Sequence, residues 1–141
     1  MKKFALLLSV FLLVGCDAVT PIVENDPIVE ETPKEHTAEM LIHKGETGTY
    51  MVNAEYPKLD YSEKINQMIE DMIMTEAELF AEEAASLELT AEEIEESGFG
   101  KSGLWINYEI YLLTDDYISI AFETSVYNSG AAHPYSYTEV F

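Results

Sequence analysis

The residues in this chain that could do chemistry are carboxylates, three histidines and a single cysteine. Glu82-Glu83, Glu92-Glu93, Glu95-Glu96 and Asp115-Asp116 are adjacent acidic pairs. Two carboxylates across a cleft can divide acid and base roles in glycoside cleavage. That chemistry needs one of them buried with a raised pKa. Glutamate runs on a helix form a solvated face instead, and nothing in the sequence singles one carboxylate out. The histidines are His36, His43 and His133. None of them forms a His-x-x-x-His pair, so local zinc ligation is not indicated. No Asp-x-Asp-x-Asp-Gly calcium loop is present either. Gly98-Phe99-Gly100-Lys101-Ser102-Gly103 has the glycines of a phosphate loop. It lacks the preceding strand and following helix that such a loop needs, and reads as a turn. The expectation is a chain with no catalytic residues, no metal and no cofactor.

The cysteine points to different chemistry. Cys16 follows Leu13-Val14-Gly15, and upstream lie Lys2, Lys3 and the apolar run Phe4–Val14. A positive start, an apolar core, small residues and then cysteine is the layout of a lipoprotein signal. The run is much shorter than the roughly 20 residues of a spanning helix. Residues 1–15 are therefore expected to be a signal peptide, with a lipid on Cys16. The expected location is the cell envelope, lipid-anchored on the outer side of the cytoplasmic membrane or in the periplasm. With no second cysteine there is no intrachain disulfide.

Residues 16–36 read as a tether. Pro21, Pro27 and Pro33 interrupt any helix, and Pro21-Ile22-Val23-Glu24 returns as Pro27-Ile28-Val29-Glu30. Acidic residues keep such a segment extended. Loss of Lys2 and Lys3 with the signal leaves 27 acidic residues against 5 lysines, a charge two units below the −20 of the whole chain. A chain this acidic is repelled by nucleic acid and attracts basic partners.

Residues 37–141 read as one α+β domain. Ala38–Lys44 and Thr47–Glu55 have strand character, with Gly45-Glu46 between them and Tyr56-Pro57 as the expected stop. Asp60 and Glu63 have capping-box spacing at the start of a long helix reaching about Ser86. Its apolar stripe is Ile65, Met68, Ile69, Met72, Ile73, Ala77, Leu79, Phe80 and Ala84. Thr90 and Glu93 cap a second, shorter helix that places Ile94 inward and stops at Gly98. Leu104–Leu113 and Tyr117–Tyr127 alternate with period two and are joined by Thr114-Asp115-Asp116. Their even positions, Leu104 to Leu112 and Ile118 to Val126, form one apolar face. A third strand starts near Tyr135. The expected architecture is one long amphipathic helix packed on an antiparallel sheet.

Several of these features resemble a known pattern. They are Tyr56-Pro57, the helix from Asp60, the hairpin Trp105–Tyr127, and the loop Ser129-Gly130-Ala131-Ala132-His133-Pro134 before a tyrosine-rich strand. Together they resemble the extracellular region of RsiV-like anti-sigma factors, which are lysozyme receptors. They also resemble the non-catalytic N-terminal domain of PdaC-like peptidoglycan deacetylases. The resemblance covers about residues 37–141. In those families the tyrosine-rich strand continues into a second domain, so it implies a chain truncated at the start of that domain. It also implies a non-catalytic binding module, with Ser129, Gly130, Ala131, Ala132, His133 and Pro134 as candidate binding residues. Besides the membrane, one of two alternative partners is expected. One is a basic envelope-active protein such as a lysozyme. The other is peptidoglycan, with Trp105, Tyr127, Tyr135 and Tyr137 as stacking aromatics. A fragment without a function of its own is the remaining alternative.

Overall fold

The computed structural model describes residue 34 and residues 36–141. The expected signal, Cys16 and nearly all of the expected tether lie outside the described residues. Seven elements follow in chain order: β1 (Ala38–Glu46), β2 (Tyr50–Leu59), α1 (Glu63–Ser86), α2 (Ala91–Ser97), β3 (Ser102–Leu113), β4 (Ile118–Tyr127) and β5 (Tyr135–Val140). The strands form one sheet in sequence order, β1-β2-β3-β4-β5. Three of its pairs are antiparallel; β2 and β3 run parallel, because the chain crosses over between them through both helices. The fold is the expected α+β arrangement, with that one parallel seam inside a mostly antiparallel sheet.

α1 lies on one face of the sheet. Ile69, Ile73, Ala77, Phe80 and Ala84 recur every three or four residues and are buried. They meet Val52, Ala54 and Tyr56 of β2, Leu104 and Ile106 of β3, and Ile120, Phe122 and Val126 of β4. Each large apolar side chain in this layer stabilises the fold by about 1.5–3 kcal/mol. Ile65 and Met72 pack at the margin. Met68 and Leu79, expected in the same stripe, are about half exposed, at 49% and 56%. Both fall outside the arc that one sheet can cover.

Three boundaries differ from the sequence reading, each for a local reason. The β1–β2 turn is Thr47–Thr49, so Gly45-Glu46 stays inside β1. Thr47 Oγ1 accepts the N–H groups of Thr49 at 3.2 Å and Tyr50 at 3.1 Å, which fixes the turn there. β2 runs through Tyr56-Pro57 to Leu59. Pro57 is tolerated because β3 pairs with β2 only as far as Ala54. On the β1 side, Asp60 N–H donates to Thr37 O. Counting back by pairs puts Pro57, opposite Met40, at a position where no ladder hydrogen bond is made. Because β2 is longer, the cap of α1 moves from Asp60 to Ser62, whose side chain accepts from Ile65 N–H. α2, by contrast, forms as expected. Thr90 and Glu93 make the reciprocal capping box, and Gly98 ends the helix at φ 71°.

The β3–β4 hairpin carries a bulge between Ile110 and Leu112, where Tyr111 is the extra residue. A one-residue insertion reverses the alternation beyond it. Leu112 therefore pairs with Ser119 and is 45% exposed, whereas Leu113 pairs with Ile118. The inward face ends at Ile110 and resumes at Leu113.

Trp105 lies across Gly103 on the face away from α1. A Cβ at Gly103 would overlap three ring carbons of the indole. Gly103→Ala is expected to displace the ring and to cost about 1–3 kcal/mol. Trp105 is the chain's one tryptophan, so its fluorescence reports the displacement directly; an unchanged emission spectrum contradicts this packing.

The capping box also sets a response to acid. The Thr90 backbone and side-chain hydrogen bonds hold the Glu93 carboxyl below its ordinary 4.5. Lys101 likewise holds Glu46 low, by hydrogen bond and by charge. A depressed folded pKa gives stability that is present above 4.5 and lost as pH falls through the lower folded value. The protection of α2 amides, relative to their intrinsic exchange rate at each pH, should therefore fall below pH 4.5 in the wild type. Glu93→Gln should show less α2 protection at neutral pH and a flatter acid response. Identical acid profiles for the two proteins would refute the assignment.

Candidate functional site

One pole of the domain gathers the β1–β2 turn, α2, the segment from Gly98 to Lys101, and the β4–β5 loop. Its anchors are local. Lys101 Nζ donates to Glu46 Oε1 at 2.7 Å and to Thr47 O at 2.8 Å, tying β3 to the β1–β2 turn. Ser129 N–H donates to Ser102 Oγ at 3.0 Å, which holds the β4–β5 loop on the buried start of β3. Asn128 Nδ2 donates to Glu83 Oε1 at 2.8 Å and fastens the same loop to α1. Tyr127 O–H donates to Phe99 O at 2.7 Å.

Gly98 and Gly100 both have positive φ, at 71° and 82°. They turn the chain sharply on either side of Phe99 and leave its ring 58% exposed. Phe99, Leu89, Ile94 and Gly130 enclose a hollow of about 290 Å³, with Glu93, Ser97 and Ser129 completing its wall. Ile94 also borders a larger, more open depression of about 560 Å³ reaching Gly48, Glu95 and Lys101. Ala91 approaches so closely there that a Cβ on Gly48 would sit 2.9 Å from its own. The result is an apolar recess set among carboxylates.

The six residues expected to bind divide at this pole. Ser129 and Gly130 line the hollow. Ala131 N–H instead closes the loop's turn on Asn128 O at 2.8 Å. Ala132, His133 and Pro134 are exposed and do not line the hollow, and His133 Nδ1 lies 3.2 Å from Pro134 O. Phe99, Leu89 and Ile94 were not expected in a site. The signal was available in Gly98-Phe99-Gly100, where a large apolar residue between two glycines has little chance of burial.

The four aromatics do not form one platform. Trp105 and Tyr127 belong to the face away from α1, with Tyr127 paired to Gly103. Tyr135 and Tyr137 pair with Val126 and Thr124 on the α1 face, stacked on each other at 6.4 Å and 20°. The Tyr137 hydroxyl donates to Glu76 of α1. Burial pushes this phenol well above its ordinary value, and the hydrogen bond and charge of Glu76 push it further. Tyr135 is raised too, by burial and then by Glu83 and Glu76. This flank of α1 is thus a strongly negative surface.

His36 was expected in the tether, yet its side chain is packed against the opposite pole and is 1% exposed. Nε2 lies 2.6 Å from Asp115 Oδ1 in the β3–β4 turn, and Nδ1 lies 3.4 Å from Asp60 Oδ1 after β2. The ring lies 4.1 Å from that of Tyr61. Burial pulls the Asp60 carboxyl up, but Thr37 hydrogen bonds and His36 outweigh it and hold the group low. Among the described residues, no three or more His, Cys, Asp or Glu side chains gather as a metal-holding group.

Comparison with known proteins places this chain in a family. A crystal structure of a DUF3298-family protein from Bacteroides fragilis NCTC 9343 is similar at a TM-score of 0.39 and 13% identity, over 75% of this chain and 54% of that one. The chain therefore spans about half the length of that protein. No curated protein matches the sequence. The model of the family described as deacetylase PdaC matches residues 43–136, from within β1 to the start of β5. With two thirds of its length matched, the chain belongs to the PdaC family.

Proposed function

We propose that the domain is a non-catalytic, lipid-anchored accessory module of the cell envelope that captures a basic envelope-active protein such as a lysozyme. Cys16 supplies the anchor, and the segment between Cys16 and His36 holds the domain away from the membrane. The observation that carries the reading is the apolar hollow beside Phe99, set in an acidic pole. α2 contributes Glu92, Glu93, Glu95 and Glu96, and the lysine at this pole, Lys101, is already tied to Glu46 and Thr47. Charge of this kind steers a cationic protein and speeds its encounter. A small apolar recess then gives the complex a point of purchase that charge alone does not. Membership in the PdaC family supports an accessory role beside a separate catalytic domain.

Titration of the anchored protein against lysozyme tests the reading. Binding is expected at low salt, with an affinity that falls steeply as salt rises. Phe99→Ala should weaken it by about tenfold, the ordinary effect of removing one interface anchor. No binding at low salt sinks the proposal. Binding that Phe99→Ala leaves unchanged sinks the placement of the site.

A further inference from the structure

The sheet face away from α1 holds a second recess, formed by β3, β4 and β5 and separate from the Phe99 pole. Its volume is about 380 Å³. Ala121 makes the floor: it is a small residue paired with Glu109, so the space above it is open. Asn107 pairs with Glu123, and Glu123 pairs with Thr138. An amide, a carboxylate and a hydroxyl therefore stand in a row across three strands. Glu109 is the diagonal neighbour of Glu123, roughly 7–8 Å away between backbones. One small ligand can reach both.

Tyr111 completes the recess. The alternation of β3 carries it onto this same face just before the register shifts, and it is 65% exposed at the edge of the hollow. The Tyr111 hydroxyl donates to Glu109 Oε2 at 2.7 Å, which fixes the ring's position. Among the described residues, no basic side chain lines the recess. Its two carboxylates thus lack a cation, beside an exposed aromatic plane and neutral hydrogen-bonding groups.

We propose that this recess binds a saccharide bearing a free amino group. The Tyr111 ring offers a flat surface to the C–H face of a sugar ring. Glu109 and Glu123 accept from the sugar ammonium in charge-assisted hydrogen bonds. Asn107 and Thr138 serve the ring hydroxyls, since an amide and a hydroxyl both donate and accept. An N-acetylated sugar brings no charge to the two carboxylates and fits less well. A lysine side chain brings the charge but has nothing for Asn107 and Thr138 to bind. The proposal is independent of the basic-protein reading, which rests on the other pole.

The test is calorimetric titration of the full chain with a glucosamine tetrasaccharide, its N-acetylated counterpart and tetralysine. The glucosamine oligomer is expected to bind at least about tenfold more tightly than either of the others, a difference well within reach of one charge-assisted contact. Tyr111→Ala and Glu123→Gln are both surface changes and should each weaken it by about tenfold. Phe99→Ala should leave it unchanged. No binding of the glucosamine oligomer overturns the proposal. So does equal binding of the acetylated sugar or of tetralysine, and so does indifference to both recess substitutions.

Discussion

The structure depends on one helix covering one face of a five-stranded sheet. α1 buries Ile69, Ile73, Phe80 and two alanines against β2, β3 and β4, and among the described residues no second helix layer stands behind the sheet. That arrangement dictates the alternation of every central strand. Val52, Ala54, Leu104, Ile106, Ile120 and Phe122 point toward α1 and are buried. Asn53, Glu55, Asn107, Glu109 and Glu123 occupy the intervening positions and stay in contact with water. A half-covered sheet has room for polar chemistry on its bare face, which a sandwich of two sheets would have filled with core.

Much of this was legible in the sequence wherever the signal was local. Thr90, Glu93 and Gly98 specified α2 completely, because a capping box and a left-handed stop need only their own neighbours. The alternation of Leu104–Ile110 and Ile118–Val126 gave the hairpin and its buried face. What escaped depended on partners distant in the chain. Pro57 looked like a strand end because its tolerance rests on where β3 stops pairing. Leu112 looked inward because a bulge leaves no mark in a run of apolar residues. His36 looked like part of the tether because both of its aspartates arrive from remote turns.

The candidate site was legible in part for the same reason. The loop after β4 was singled out by its resemblance to the known pattern, and Ser129 and Gly130 do line a hollow. The rest of that hollow comes from α2 and Phe99, which only the crossover between β2 and β3 brings beside the loop. Acidity was plain from composition. Its placement was not: Glu76 and Glu83 act on Tyr135 and Tyr137 because β5 lies along the same flank of α1.

The parallel seam between β2 and β3 has a consequence for the order of assembly. The β1–β2 and β3–β4 hairpins each close over a short turn, so each can form within its own stretch of chain. Tyr50 and Ser102 become neighbours only after both helices have been threaded between them. Closing that long loop costs entropy before any seam contact is gained. The helix that spans the gap is also the one that covers the finished core. On loop-closure grounds the two hairpins would form early and their union would wait on α1. The last event of folding would then be the meeting of β2 and β3, near the start of β3, where Lys101 and Ser102 fasten the pole together.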